Sequence, residues 1–276
     1  MKKNIIHFSM NDYTGAGLAA FRFHENLKRY KFNSYLIVNE KKKKFKNIIE
    51  LNKKSILKNF FNKLEFFFLT KKNKFAFYDK GRYLINDINE LKFMDKLDPS
   101  VVIIHWVTNF LNPNLLKQIK KKYKCKILWN VIDIAPLTGG CHINWSCKKF
   151  HSSCNKCPAV KNVFQYRPQK TYQIKNKIFK NLKLDFLYTG DWMGQQIKDS
   201  SLAKNKKSHK LMIPVNENNF KPNNKIKKKN PWNIKTNKKI IFFRSSSHLR
   251  KGNEILVSAI NLLNKQSNDI KKKFCL

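Results

Sequence analysis

The stretch NIIHFSMNDYTGAGLAAFRFHENL (residues 4–27) decides how the chain begins to fold. Its first part, NIIHFS (4–9), is a short apolar run that predicts a buried strand. The loop NDYTGAG follows, and apolar residues then recur at helical spacing from Leu18 to about Tyr30. SYLIV (34–38) predicts the next strand. A strand, a glycine loop, a helix and a second strand in this order predict the start of a parallel sheet.

Strand and helix patterns continue to alternate along the chain. VVIIHW (101–106) and CKILWNVI (125–132) are continuous apolar runs, as strands buried on both faces of a parallel sheet require. The further predicted elements are helices over 171–182 and 191–199 and strands over 185–190 and 210–215. This alternation predicts the α/β class.

The region that follows these elements has a different composition. Residues 216–238 are rich in Lys, Asn and Pro, which is typical of a linker. KIIFFR (239–244) then predicts a new strand and NEILVSAINLLNK (253–265) a new helix. One strand and one helix are too little to bury a core of their own. The expected organisation is a domain over 1–218, a linker over 219–238 and the start of a second domain over 239–276.

The net charge of the 276-residue chain is +41, which favours an anionic partner. Nucleic acid is not the partner we expect, because lysines scattered along the chain make up nearly all of the 58 basic residues, whereas nucleic-acid surfaces usually recruit arginine. Attraction to anionic lipid headgroups is still expected. The chain has no apolar run long enough for a membrane span and no signal-peptide pattern at its start, so we expect a cytoplasmic protein.

Residues 56–69, ILKNFFNKLEFFFL, combine Phe and Leu at helical spacing with flanking lysines. They predict an amphipathic helix, for which two positions remain open. The helix either faces the protein core or lies on a membrane surface, where Phe and Lys are a usual composition. In the second case the protein would bind peripherally to the inner face of the cytoplasmic membrane.

Several polar or flexible residues follow predicted strands. Gly15 and Gly17 follow the first strand, His105 lies near the end of VVIIHW, and Asp133 follows CKILWNVI. In open α/β sheets, ligands bind beyond the carboxyl ends of the strands. Each residue alone could equally be structural, but together they predict a binding crevice at one edge of the sheet. Glycines there let the backbone approach a ligand closely.

The loop APLTGGCHINWSCKKFHSSCNKCPAV (135–160) concentrates cysteines in a chain that has few. Its four cysteines are Cys141, Cys147, Cys154 and Cys157. Four thiolates suit a tetrahedral zinc ion, and His142 or His151 could replace one of them. Ordinary free thiols and a redox pair are the alternatives.

Two further stretches could bind a phosphate group. Thr138, Gly139 and Gly140 could present successive backbone N–H groups to an anion. Arg250 and Lys251 precede the last predicted helix, and two cations at a helix N-terminus fit a diphosphate. An ordinary basic turn is the alternative for the second stretch.

These segments together resemble the bacterial glycosyltransferases of family 4, in particular the colanic-acid or capsule branch. The most specific part is TGGCH (138–142), with its spaced cysteines ending in CP and with IIHW (103–106) before it. The glycine loop, SSLAKNKKSHKLMIPVNENNFKP (200–222) and KIIFFRSSSHLRKGNEILVSAINLL (239–263) match the group in the same order. The resemblance therefore covers nearly the whole chain.

The resemblance implies a GT-B fold, in which two Rossmann-like domains face each other across a cleft. It also implies transfer of a sugar from a nucleotide-diphosphate sugar to a glycan or lipid-linked acceptor, with retention at the anomeric carbon. Such transfer serves surface polysaccharide biosynthesis and requires no cofactor for catalysis, so zinc would be structural. The second Rossmann-like domain would be incomplete in this chain.

Carried over by position, Asp133 would line the cleft. Asp133 and His105 are the predicted catalytic residues, His105 as a substitute for a His that many relatives carry just before the Asp. Arg244 and Lys251 would neutralise the departing diphosphate, the charge that grows in the transition state. The full set predicted to bind donor or substrate is Gly15, Gly17, Thr138, Gly139, Gly140, Arg244, Arg250 and Lys251.

Two features depart from the family pattern. Ile132 stands where many relatives have a His that contacts the donor sugar. The acidic pair that relatives carry late in the second domain, spaced Glu-x7-Glu, is missing, and a domain of ordinary size would need about a hundred more residues. We therefore expect a truncated chain with little or no transfer activity. The alternatives are a zinc-bearing basic protein that binds nucleic acid and a non-catalytic acceptor-binding subunit.

Overall fold

The computed structural model describes residues 4–52, 64, 76–79, 81–221, 239–244, 249–266 and 274–275. The chain divides into two compact units, Met1–Asn216 and Glu217–Leu276. The strands of the first unit are β1 (Asn4–Asn11), β2 (Asn33–Glu40), β3 (Ile48–Glu50), β4 (Ala76–Phe77), β5 (Pro99–Ile104), β6 (Lys126–Asn130), β7 (Cys141–Ile143), β8 (Leu184–Tyr188) and β9 (Ser208–Lys210). Its α-helices are α1 (Gly15–Arg29), α2 (Leu115–Tyr123), α3 (Tyr166–Asn181) and α4 (Asp191–Asp199). Its 3-10 helices are Ile88–Lys96, Ala135–Leu137, Lys149–His151 and Asn162–Phe164.

Seven of these strands form one entirely parallel sheet, in the order β3-β2-β1-β5-β6-β8-β9. The remaining two, β4 and β7, form a separate antiparallel pair. The α/β class and the parallel sheet predicted from the sequence are confirmed, and the sheet is compatible with a Rossmann-like domain.

The strand order reverses between β1 and β5. The chain first extends the sheet from β1 to β3 and then returns to the other side of β1 with β5. His7 lies opposite Ile103 and Phe8 opposite Ile104 in this central pair. In open parallel sheets, the crevice beyond the carboxyl ends of the strands at such a reversal is where ligands bind.

The core of the first unit explains the apolar runs in the sequence. Successive residues of a strand face opposite sides of the sheet, and every residue from Ile5 to Ser9 is buried. Both faces of β1 are therefore covered. Phe8, Phe110 and Phe186 are among the largest fully buried side chains. Each contributes about 1.5–3 kcal/mol relative to an exposed position.

The glycine loop lets α1 pack directly against the end of β1. A Cβ atom on Gly17 would overlap the carbonyl oxygen and the side-chain Oδ1 of Asn11, and would lie 2.8 Å from the Asn11 carbonyl carbon. A Cβ atom on Gly15 would meet nothing within 4 Å. Close packing therefore requires glycine at position 17 and not at position 15.

Gly17→Ala is expected to lower the free energy of unfolding by about 2–3 kcal/mol, because the new methyl group must displace the backbone of Asn11. Gly15→Ala makes the same change two residues away and should stay within about 0.5 kcal/mol of the parent. Urea unfolding followed by circular dichroism measures both. Equal midpoints for the two variants would show that this contact does not hold α1 in place.

Two predicted strands extend further than the structure allows. The strand predicted over 210–215 is wrong, since β9 ends at Lys210 and Leu211 adds only one further bond between backbone groups, from its N–H to the carbonyl of Tyr188 at 2.7 Å. Pro214 has no N–H with which to continue a ladder. In the second unit, the strand predicted over 239–244 covers only Lys239–Ile240.

The second unit contains β10 (Lys239–Ile240), a 3-10 turn (Leu249–Lys251), α5 (Asn253–Gln266) and β11 (Phe274–Cys275), with β10 and β11 parallel. None of its residues with a described burial is buried. Phe242 is 87% exposed and Ile255 on α5 is 75% exposed. The described part of this unit therefore has no core of its own.

Two sequence predictions fall largely outside the described residues. The amphipathic helix over 56–69 lies outside them apart from Leu64, and the linker over 219–238 lies outside them apart from 219–221. Across the described ranges, no helix has the length and apolarity needed to cross a membrane.

Candidate active site

A narrow cavity of about 30 Å³ lies at the carboxyl ends of β5 and β6. It is lined by His105 and Thr108 after β5, by Asn130 and Asp133 at the end of β6, and by Lys175 from α3. Parallel neighbouring strands end at the same edge of a sheet, so the residues that follow them meet there. The structure thus brings both predicted catalytic residues, His105 and Asp133, to one cavity.

The loops that follow β1 and β5 are adjacent. The N–H of Met10 donates to the carbonyl of Trp106 at 2.8 Å. Just beyond Met10, Asn11 Oδ1 accepts hydrogen bonds from backbone N–H groups of the next loop residues. These bonds hold the glycine loop beside the loop after β5. Gly15 and Gly17 do not line the cavity of about 30 Å³ themselves.

Asp133 is held by contacts to both of its carboxylate oxygens. Oδ1 accepts from the N–H of Ala135 at 2.9 Å, and Oδ2 lies 2.6 Å from Nδ1 of His142. The Asp133 side chain is 23% exposed, whereas that of His142 is only 5% exposed. The carboxylate therefore faces the cavity and the imidazole lies behind it.

His142 has partners at both ring nitrogens. Oγ1 of Thr108 lies 3.2 Å from Nε2, and the indole Nε1 of Trp106 lies 3.1 Å from Nδ1. An indole N–H can only donate and a carboxylate can only accept, so Nδ1 serves Trp106 or Asp133 but not both at once. The shorter contact, to Asp133, favours a proton on Nδ1. Nε2 then accepts from the Thr108 hydroxyl, which gives the order Asp133–His142–Thr108.

His105 is buried and both of its ring nitrogens have partners inside the protein. Nε2 lies 3.0 Å from Nδ1 of His7, and the side-chain amide of Asn130 donates to Nδ1 at 3.2 Å. Burial lowers the pKa of His105 to about 3, so the ring is neutral near pH 7. His105 therefore links the cavity to the core, and these contacts do not favour the catalytic role predicted for it.

The loop formed by Thr138, Gly139 and Gly140 uses its own N–H groups. The N–H of Gly139 donates to Sγ of Cys154 at 3.2 Å, and the N–H of Gly140 donates to Oγ1 of Thr138 at 3.1 Å. Both amides are already satisfied within the chain. The anion-binding concavity predicted for this loop is therefore not formed in this arrangement.

A buried lysine closes the same loop. The ammonium of Lys175 donates to the carbonyls of Ala135 at 2.9 Å and Thr138 at 3.0 Å. It also lies 3.6 Å from Oδ2 of Asp79, and both side chains are about 5% exposed. The loop thus binds a cation through its carbonyl groups, and this cation contributes positive charge to the cavity wall.

The four cysteines of the same region line a second cavity, of about 20 Å³. All four are free thiols. Burial raises the pKa of Cys154 to about 12, whereas a hydrogen bond from Cys141 helps to lower the pKa of Cys157 to about 7. Among the described side chains, no three of the types His, Cys, Asp and Glu are already arranged to hold a metal ion.

The residues predicted to bind a diphosphate belong to the second unit. Arg244 follows β10, and Arg250 and Lys251 lie in the turn before α5. All three are exposed. Gly252 has a φ of 74°, the left-handed conformation that glycine adopts readily, and it joins the turn to the helix. The turn thus presents two cations just before the N-terminus of α5.

Three residues of this site had no predicted role there: Thr108, Trp106 and Lys175. His142 entered the sequence analysis only as a substitute zinc ligand. Its position in the TGGCH stretch was the one available signal, because that stretch follows Asp133 closely. Lys175 gave no signal, since lysine is abundant throughout the chain.

No protein-family model matches this chain, and no curated protein matches it either. The family resemblance described above therefore remains a hypothesis.

Proposed function

We propose that this chain is a retaining glycosyltransferase that moves a sugar from a nucleotide-diphosphate sugar to a glycan or lipid-linked acceptor. The observation that carries the proposal is the Asp133 carboxylate, held by His142 beside the cavity at the carboxyl ends of β5 and β6. This edge lies next to the reversal of strand order, where α/β sheets bind ligands. The motifs shared with family 4 glycosyltransferases, such as TGGCH, support the same assignment.

The size of the cavity restricts what enters it. A volume of about 30 Å³ holds a group the size of a hydroxyl or a water molecule, so the sugar rings would lie at its mouth. In the proposed reaction, an acceptor hydroxyl enters and donates a hydrogen bond to Asp133. The acceptor oxygen bonds to the anomeric carbon on the face from which the diphosphate departs, so the configuration is retained, and the bond from that carbon to the diphosphate oxygen breaks. Asp133 takes the hydroxyl proton as general base, while His142 keeps the carboxylate oriented.

The departing diphosphate carries the negative charge that must be stabilised. The proposal assigns binding of a nucleoside diphosphate to the exposed cations Arg244, Arg250 and Lys251 of the second unit, considered by itself. We place the reaction at the cytoplasmic face of the membrane, where anionic headgroups attract a chain with a net charge of +41. Lipid-linked acceptors are presented at that surface, which suits a role in surface polysaccharide biosynthesis.

The test measures release of nucleoside diphosphate from a panel of sugar nucleotides, with and without a lipid-linked oligosaccharide acceptor. Any acceptor-dependent release is expected to fall at least about 100-fold in Asp133→Asn, because the general base is lost. Asp191→Asn is the matched control, since that carboxylate is 86% exposed and should leave the rate unchanged. Release that is equal in parent and Asp133→Asn would exclude the assigned role of Asp133.

A non-catalytic acceptor-binding protein is the second candidate. It is favoured by the absence of buried residues in the described part of the second unit, which carries the cations proposed to bind diphosphate. This candidate predicts no release from any sugar nucleotide, together with oligosaccharide binding that Asp133→Asn weakens. Isothermal titration with the same acceptor separates the two candidates. If neither nucleotide release nor acceptor binding is observed, both candidates are rejected.

A further inference from the structure

We propose that Cys141, Cys147, Cys154 and Cys157 bind one structural zinc ion. The proposal does not depend on the transferase activity. The four residues come from β7, from the turn that follows it and from the loop beyond the Lys149–His151 helix, yet all four line one cavity of about 20 Å³. A cavity of that volume has room for a single ion.

A backbone N–H group is directed at one of the four sulfur atoms. The N–H of Gly139 donates to Sγ of Cys154 at 3.2 Å. A thiolate is a much better acceptor than a thiol, and donors of this kind stabilise metal-bound thiolates. The fold therefore supplies one of the hydrogen bonds that a metal–thiolate cluster needs.

The segment from Cys154 to Cys157 has an unusual backbone. Cys154 has a φ of 54° and Lys156 a φ of 42°, so two non-glycine residues in this short turn adopt the left-handed conformation. Such residues are destabilised locally and persist only where the surroundings impose them. The C-x2-C spacing, with both sulfurs lining the same cavity, is typical of half of a structural zinc site.

The chemistry of the donor set favours zinc. Four cysteine sulfurs and no carboxylate line the cavity, and soft ligands such as thiolates select zinc over magnesium or calcium. Binding would replace four S–H protons with four Zn–S bonds of about 2.3 Å, release the four protons and leave a net charge of −2 beside Lys149. Since the described side chains are not yet arranged to hold an ion, binding must draw the sulfurs together. A site with four protein ligands leaves no open position and is structural.

Zinc at this position would also fix the wall of the neighbouring cavity. Oγ1 of Thr138 donates to the carbonyl of Cys141 at 2.8 Å, and Gly139 is bonded to Cys154. The same loop leads back to Asp133 along the chain. The ion would therefore order the loop that carries His142.

The test is elemental analysis of the chain purified under reducing conditions after expression with added zinc. We expect about one zinc ion per chain, and we expect cobalt, exchanged for zinc, to give the absorption of a tetrahedral cobalt–thiolate centre. Cys154→Ser and Cys157→Ser should each lower the zinc content to below about one tenth of an ion per chain. Cys125→Ser is the matched control, because Cys125 is also buried but lies outside the cluster, and it should retain the ion.

If a cysteine variant does not fold, the proposal can still be tested on the parent chain. Chelation of the folded parent should remove the zinc and lower its urea midpoint, and added zinc should restore both. Absence of zinc and of a cobalt spectrum in the parent would overturn the proposal. Retention of zinc by all the cysteine variants would overturn it as well.

Discussion

Lowering the pH from 7 to 4.5 is expected to reduce the free energy of unfolding by about 5 kcal/mol or more. A loss of that size is comparable to the whole stability of an ordinary domain. Its cause is a cluster of three buried imidazoles, His7 on β1, His24 on α1 and His105 after β5. The ring centroid of His7 lies 5.3 Å from that of His105 and 6.1 Å from that of His24.

Burial lowers the pKa of each ring, to about 3 for His105 and to about 4 for His24. Burial and the two neighbouring rings lower the pKa of His7 well below its usual value of 6.5. From pH 6.5 down to about 4, the unfolded chain therefore binds more protons than the folded chain. Stability is complete above pH 6.5 and falls as the pH falls through this window. At pH 4.5 the difference is about 2–3 kcal/mol for each of His24 and His105, and His7 adds to it.

Urea unfolding at intervals of half a pH unit measures this slope. His24→Gln removes one titrating ring and retains an amide that can bond to Ser34, whose Oγ lies 2.8 Å from His24 Nδ1. We expect the slope of the free energy of unfolding against pH to be about 1.4 kcal/mol per pH unit smaller in this variant. His209→Gln is the control, because the His209 side chain is 51% exposed and should not affect the slope. A flat stability profile between pH 6.5 and 4.5 would contradict the prediction.

Lys175→Met is expected to lower the free energy of unfolding by about 3–5 kcal/mol. The three N–H donors of the Lys175 ammonium face the carbonyls of Ala135 and Thr138 and the carboxylate of Asp79. Methionine fills a similar volume but cannot donate. The Asp79 carboxylate is then left buried without its cation, and both carbonyls lose a donor.

Lys177→Met is the matched control for this change. It places the same substitution at an exposed position of α3, and its effect should stay within about 0.5 kcal/mol. Asp79→Asn combined with Lys175→Met should recover part of the loss, because it removes the unpaired charge. A double variant no more stable than Lys175→Met would show that the buried charge is not the main cause.

The central strands could be predicted from the sequence because a strand covered on both faces has a continuous apolar run. This pattern located β1, β5 and β6. β3 could not be predicted in the same way, since Ile48–Glu50 contains only two apolar residues. The apolar residues Leu211 and Met212 led to the wrong prediction for the position of β9, since both are exposed in the structure. Local patterns do not show where a ladder of hydrogen bonds stops.

The candidate site was only partly predictable. The position of Asp133 followed from the rule that ligands bind at the carboxyl ends of parallel strands. The role of His142 could not follow from any local pattern, because Trp106 and Thr108 reach it from loops more than thirty residues earlier in the chain. Lys175 acquires its role only when α3 packs on the loop after β6. Such long-range contacts leave no trace in residue spacing.

The central pair of strands also sets the order in which the chain can fold. β1 pairs with β2 across about 30 residues but with β5 across about 95, from Asn4 to Pro99. Contacts of greater sequence separation form more slowly. At about 5–20 residues per second, a ribosome completes β5 several seconds after β2. During that interval β1, an interior strand of the finished sheet, has one unpaired apolar edge, which is where nascent-chain aggregation or chaperone binding would compete with folding.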